Sequence, residues 1–202
     1  MTHQEPSRQR IAAAYREALR AFAGLHPRIT EWDAPTPCGQ WSLLDLSGHL
    51  LAIARYWHRL LDAAEGGQHA VGLPRGRDLA AMNATDLLNL PETSGTRRME
   101  RFLGFAEDHL RRIEDVDWYM ILGEWSGLGP LTVGQHGGVA VGEWHVHAWD
   151  MARSLGQDHR PSDAEVVREG NRVLRDIAGS GDPWLAVLTA YERDTGWTSF
   201  AS

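Results

Sequence analysis

Apolar residues return every three or four positions through four long stretches of this chain, while the strict alternation of a half-buried strand is almost absent. That periodicity predicts an all-α fold of amphipathic helices. The first stripe is Ile11, Tyr15, Ala18, Phe22 and Leu25, with Ala12 and Leu19 beside it, and predicts a helix over residues 7 to 25. The second is Leu43, Leu46, Leu50, Ile53, Trp57 and Leu60, entered at Ser42, with Asp45 as a weak capping-box partner and Trp41 placed to staple onto Leu46. Met99, Phe102, Leu103, Ala106, Leu110 and Ile113 form the third, entered from Thr93 or Ser94. The fourth opens on the capping box of Thr132 and Gln135 and runs over residues 133 to 155, with Gly156 as its C-cap.

The connections are irregular. Pro27, Pro35, Pro37 and Gly39 interrupt the chain after the first helix, and residues 66 to 94 read as a long loop with one short helix at about residues 79 to 84. A loop of that length is usually functional and is placed to cover a site. Glycines from Gly123 to Gly129, followed by Pro130, break the chain again. Gly134, Gly137, Gly138 and Gly142 weaken the first half of the fourth helix, each by roughly 1 kcal/mol against Ala, which predicts close packing at those positions. Ser162 and Glu165 predict the capping box of a fifth helix ending at Gly179, and Asp182 with Pro183 opens a short sixth. The expectation is an up-and-down four-helix bundle over about residues 7–156 with short helices over about 162–193, all within one domain of 202 residues.

Composition narrows the function more than it defines it. Hydrophobic residues at 43% and charged residues at 23% give a globular balance, and no apolar run approaches the roughly eighteen residues of a membrane span. No secretory leader is legible at the start, so the cytoplasm is the expected compartment. A net charge of -7 without a Lys/Arg stripe argues against nucleic acid as a partner. The single cysteine, Cys38, excludes an internal disulfide and a cysteine-rich zinc site, so any metal has to rest on histidines and carboxylates. The glycines at 123 to 129 lack the strand and Lys of a phosphate loop.

One row of side chains carries chemistry. On the fourth helix His136, Ala140, Glu143, His147 and Asp150 share a face, and Glu143 and His147 lie one turn apart. Should the second helix turn His49, at the edge of its stripe, toward this row, a His2Glu set results, the ligand class of open zinc sites that keep a fourth position for water or substrate. Spacing alone is weak ground, since Glu and His four apart on a helix are common. His145 points about 200° away from His147 and reads as a surface or packing residue. His136 is a spare ligand at best. Cys38 lies between Pro37 and Gly39 with no basic neighbour expected to lower its pKa, and reads as a packed loop thiol.

The context of these residues resembles a known family. The run Pro35-Thr36-Pro37-Cys38-Gly39-Gln40-Trp41-Ser42-Leu43-Leu44-Asp45-Leu46-Ser47-Gly48-His49-Leu50 is similar to the signature of the mycothiol-dependent maleylpyruvate isomerase N-terminal-domain family, of the DinB-like superfamily. Glu143-Trp144-His145-Val146-His147-Ala148-Trp149-Asp150-Met151-Ala152-Arg153 resembles its second motif, and Asn83 sits where many members carry Asn. The resemblance implies a DinB-like four-helix bundle with His49, Glu143 and His147 as metal ligands. It also implies a divalent ion, Zn2+ first and Ni2+ second, and activation of a low-molecular-weight thiol, with mycothiol expected. Asp150 takes the catalytic part, orienting a ligand or handling a proton. The namesake isomerase has a further C-terminal domain, whereas about forty residues follow Gly156 here. Thiol transfer onto a small electrophile is therefore expected ahead of isomerisation. The alternative is a non-enzymatic bundle that binds a metal or a small molecule, and a homodimer is compatible with either.

Overall fold

The computed structural model describes residues 6–39, 41–68, 70–71, 76–125, 129–177 and 181–197. Nearly all regular structure there is helical, so the all-α class expected of the stripes holds, in keeping with the DinB-like bundle that the family resemblance implies. None of these helices is long and apolar enough to cross a membrane. The chain divides into two compact units, Met1–Leu43 with Gly137–Ser202, and Leu44–His136.

In the first unit, α1 (Arg8–Leu25) starts where Ser7 accepts a hydrogen bond from the backbone N of Arg10. The predicted stripe Ile11, Tyr15, Ala18, Phe22 and Leu25 is buried. Pro27 turns the chain out of the helix through a short 3-10 segment, His26–Arg28. Helix α5 (Val133–Ser154) ends as expected, with Gly156 in the left-handed region at φ 67°.

Helix α6 (Ala164–Asn171) departs from expectation at both ends. Its cap is Asp163, whose carboxylate accepts from Val166 N, because Ser162 is committed elsewhere: its backbone N and hydroxyl both bond to the Glu17 carboxylate on α1. The helix stops at Asn171, well short of Gly179. Arg172 N and Leu174 N already reach back only three residues, to Glu169 O and Asn171 O, while the Asn171 amide bonds to Val167 O and Gly138 O. Helix α7 (Pro183–Ala190) has the predicted start, with Asp182 accepting from Trp184 N and Leu185 N.

Two glycines of α5, Gly138 and Gly142, are explained by what α6 places against them. A Cβ on Gly138 would fall 2.7 Å from the Cα of Gly170, and one on Gly142 would fall 1.9 Å from the Asn171 amide nitrogen. Two backbones meet at the first position, and a side-chain amide occupies the second.

In the second unit, α2 (Leu43–Glu65) begins one residue after Ser42, and α4 (Gly95–Asp115) follows Ser94. Between them lie β1 (Ala70–Val71) and α3 (Gly76–Leu88), a helix more than twice the length predicted inside the 66 to 94 loop. The Gly-rich break is a hairpin in place of a plain loop: β2 (Ile121–Trp125) pairs antiparallel with β3 (Gly129–Thr132) and parallel with β1. Strands of two to five residues are too short to leave a readable alternation. The Thr132 and Gln135 capping box is reciprocal, Gln135 N to Thr132 Oγ1 at 3.2 Å and Thr132 N to Gln135 Oε1 at 3.1 Å. Gly134 makes room for Trp118, whose ring nitrogen lies 2.3 Å from where a Cβ would be.

Candidate metal centre

Helix α5 carries the polar row that the spacing predicts. Nε2 of His147 lies 3.4 Å from Oε2 of Glu143, one turn earlier. Three residues on, Asp150 takes the other ring nitrogen, with Oδ2 2.9 Å from His147 Nδ1. Both His147 and Asp150 are buried. In the neutral imidazole the hydrogen therefore sits on Nδ1 and is donated to Asp150, and Nε2 turns a lone pair toward a carboxylate oxygen.

Two lone-pair acceptors side by side call for a cation between them. A proton is one such cation: burial pulls the His147 imidazole down, but hydrogen bonds and charge from Asp150 and Glu143 outweigh it and hold it above its ordinary value. A divalent metal is the other. With bonds of about 2.0 to 2.2 Å, two ligands of a tetrahedral Zn2+ lie roughly 3.3 to 3.5 Å apart. The 3.4 Å between Nε2 and Oε2 fits such a pair, and the Asp150 bond to Nδ1 is the outer contact that metal-binding imidazoles usually have.

Arg193 closes the other side of Asp150. Its Nε donates to Oδ1 at 2.8 Å and its Nη2 to Oδ2 at 2.9 Å, a two-pronged pair, and the same Nη2 lies 3.1 Å from Sγ of Cys38. The expectation that Cys38 has no basic neighbour is corrected by this contact, which spans 155 positions of sequence. Burial nonetheless pushes the thiol up to about 12, against the opposing pull of Arg193. Cys38, His147 and Asp150 also hold ligand atoms within 4.8 Å of one another. The guanidinium already stands against both Cys38 and Asp150, so that side has its cation, and the Glu143 side is the better seat for a metal.

Glu143 is anchored in turn. The Tyr191 hydroxyl lies 3.0 Å from Oε1 and 2.8 Å from Oδ1 of Asn171.

Of the predicted site residues, the structure brings Glu143, His147 and Asp150 together on α5, and His49 stands on α2, in the other unit. Asn83 lies on α3. His145 is the packing residue expected, with Nε2 2.9 Å from Ala14 O and Nδ1 2.9 Å from Nε2 of His159. His136 is buried within the second unit beside Trp57 and His109, ring centroids 4.8 and 5.3 Å away. Arg193, Tyr191 and Asn171 had no signal in the spacing. The one available pointer to them was general: a buried Asp needs a partner.

The family described as mycothiol maleylpyruvate isomerase N-terminal domain matches residues 11–152 of the chain. No curated protein and no solved structure matches it.

Proposed function

The chain belongs to the mycothiol maleylpyruvate isomerase N-terminal domain family, and on that footing we propose that it is a cytoplasmic, divalent-metal-dependent thiol transferase acting on a small electrophile. The observation that carries the reading is the pair of Glu143 Oε2 on a half-buried carboxylate and Nε2 of the buried His147, 3.4 Å apart, with the imidazole tautomer set by Asp150. His49 completes the ligand set in this proposal, on the strength of its family motif. Zn2+ suits two imidazoles and a carboxylate, and Ni2+ is the second candidate. A divalent ion so held supplies one thing, the deprotonation of a coordinated thiol to the nucleophilic thiolate. Mycothiol is the thiol that the family's description supports.

The chain's own residues set the stage for that chemistry. His147 presents Nε2 because Asp150 holds Nδ1. Asp150 has both oxygens occupied, by Arg193 and by His147, which favours orienting the ring over shuttling a proton. Cys38, with its thiol pushed up to about 12, does not compete as the nucleophile.

The test is the metal content of the purified protein and of His49→Ala, with thiol consumption followed in the presence of a generic electrophile. Stoichiometric metal in the parent, negligible metal in His49→Ala, and consumption that stops when the metal is chelated are the expected results. Equal, negligible metal in both proteins sinks the reading. Metal without turnover leaves the non-enzymatic binding bundle in its place.

A further inference from the structure

The strongest unassigned feature is the contact between Glu143 and the far end of the chain. Tyr191 directly follows α7 and is buried, and its ring is held on one face by the Arg175 guanidinium, 3.9 Å from the ring centroid. Arg175 is fixed by its own bond to Ala190 O at 3.1 Å. The Tyr191 hydroxyl then meets two acceptors, Oδ1 of Asn171 at 2.8 Å and Oε1 of Glu143 at 3.0 Å.

The Asn171 amide cannot turn over to offer a donor instead. Its nitrogen already bonds to Gly138 O at 3.1 Å and Val167 O at 2.9 Å, and it fills the space left by the missing Cβ of Gly142. A phenol has one hydrogen, and a bond to a charged carboxylate is roughly twice as strong as one to a neutral amide. Once Glu143 is ionised, the hydrogen belongs to Oε1. That leaves Oε2, the oxygen beside His147 Nε2, as the one presented on the ligand side.

We infer that Tyr191 is a positioning residue that takes up Oε1 of Glu143, so that this carboxylate gives the metal a single oxygen, Oε2. The inference rests on the metal reading above and deepens it. Residues 171, 175 and 191 all lie beyond residue 152, where the family match ends. The C-terminal helices thus tune a site whose proposed ligands all lie within the family domain. A one-oxygen Glu143 keeps the coordination number low and a position open for thiol, whereas a two-oxygen Glu143 would fill it.

The parent protein and Tyr191→Phe, which keeps the ring under Arg175, are stripped of metal and titrated with Co2+. Circular dichroism of the metal-free forms checks that both are folded. The expected result is a tenfold to hundredfold weaker Co2+ affinity in Tyr191→Phe. The visible absorption of the bound Co2+ also weakens, as it does when a second carboxylate oxygen raises the coordination number. In a Glu143→Ala background the same Tyr change has no further effect, which a merely structural role for Tyr191 would not produce. An unchanged constant and an unchanged spectrum in Tyr191→Phe, with normal binding by the parent, overturn the positioning role alone. Absence of Co2+ binding by the parent overturns the metal reading and the positioning role together. Should Tyr191→Phe not fold, the infrared difference spectrum of the parent on adding Zn2+ decides. A wide separation of the carboxylate stretches, the sign of one-oxygen coordination, upholds the inference, and a narrow separation overturns it.

Discussion

A guanidinium 3.1 Å from a thiol favours the thiolate, yet the Cys38 sulfur stays protonated because burial acts more strongly on it. Its thiol, pushed up to about 12, leaves very little thiolate at pH 8. Lower thiolate abundance is only partly offset by the higher intrinsic nucleophilicity of a more basic sulfur. Iodoacetamide at pH 8 should therefore label Cys38 in the native protein at least ~10-fold more slowly than in the urea-unfolded chain, as followed by intact mass. Equal rates would mean that the sulfur is more open to water than this structure places it. At this scale the sequence was readable where partners lie on one helix turn. Glu143, His147 and Asp150 follow from a 3.6-residue period, since i, i+3 and i, i+4 side chains must meet. Arg193, Tyr191 and Asn171 did not follow from it, since Arg193 and Tyr191 join the row through tertiary folding over 43 and 48 positions and Asn171 meets Tyr191 over 20.

Among the elements, long helices were legible because each repeats its stripe over several turns. Helix α1 and helix α5 end within a residue of the predicted bounds. The hairpin of β2 and β3 was not, being too short to repeat anything, and α6 was read too long because its end is set by Asn171 bonding across to α5. Glycines sort by the same logic. On α5 a Cβ at position 138 would meet the backbone of Gly170 at 2.7 Å, and backbone cannot swing aside as a flexible side chain can. On α4 a Cβ at Gly104 would meet nothing within 4 Å. Gly138→Ala is expected to lower stability by about 1 to 3 kcal/mol through overpacking, and Gly104→Ala to raise it by about 0.5 to 1 kcal/mol through helix propensity. Urea unfolding of the two variants against the parent reads both signs. If both changes stabilise, α5 and α6 do not approach as closely at Gly138 and Gly170 as described.

Over the whole molecule, buried imidazoles set the response to acid. His109, His136 and His145 are fully buried, and burial pushes His136 down to about 3 and His145 to about 4, with His109 well below its ordinary value. A histidine whose folded value lies below its unfolded value of about 6.5 is more readily protonated in the unfolded chain. The stability that these three contribute is therefore fully present above about pH 6.5 and drains away as the pH falls toward the folded values. At pH 5 His136 and His145 each cost roughly 2 kcal/mol, about 4 kcal/mol together, a large share of the 5 to 15 kcal/mol typical of a folded domain, and His109 acts in the same direction. His147 works in the opposite sense: held above its ordinary value, it contributes stability that is fully present below about pH 6.5 and is lost as pH rises, so it does not offset the acid loss. Urea unfolding of the metal-free protein between pH 5 and 6 should accordingly show a fall of about 3 kcal/mol per pH unit from His136 and His145, about 1.4 for each imidazole, with His109 adding in the same sense. His136→Gln, which cannot take up the proton, should flatten that slope by about one imidazole's share. A parent whose stability is level across this window would show that these rings are hydrated in the native state, and the dry surroundings described for His109, His136 and His145 would not stand.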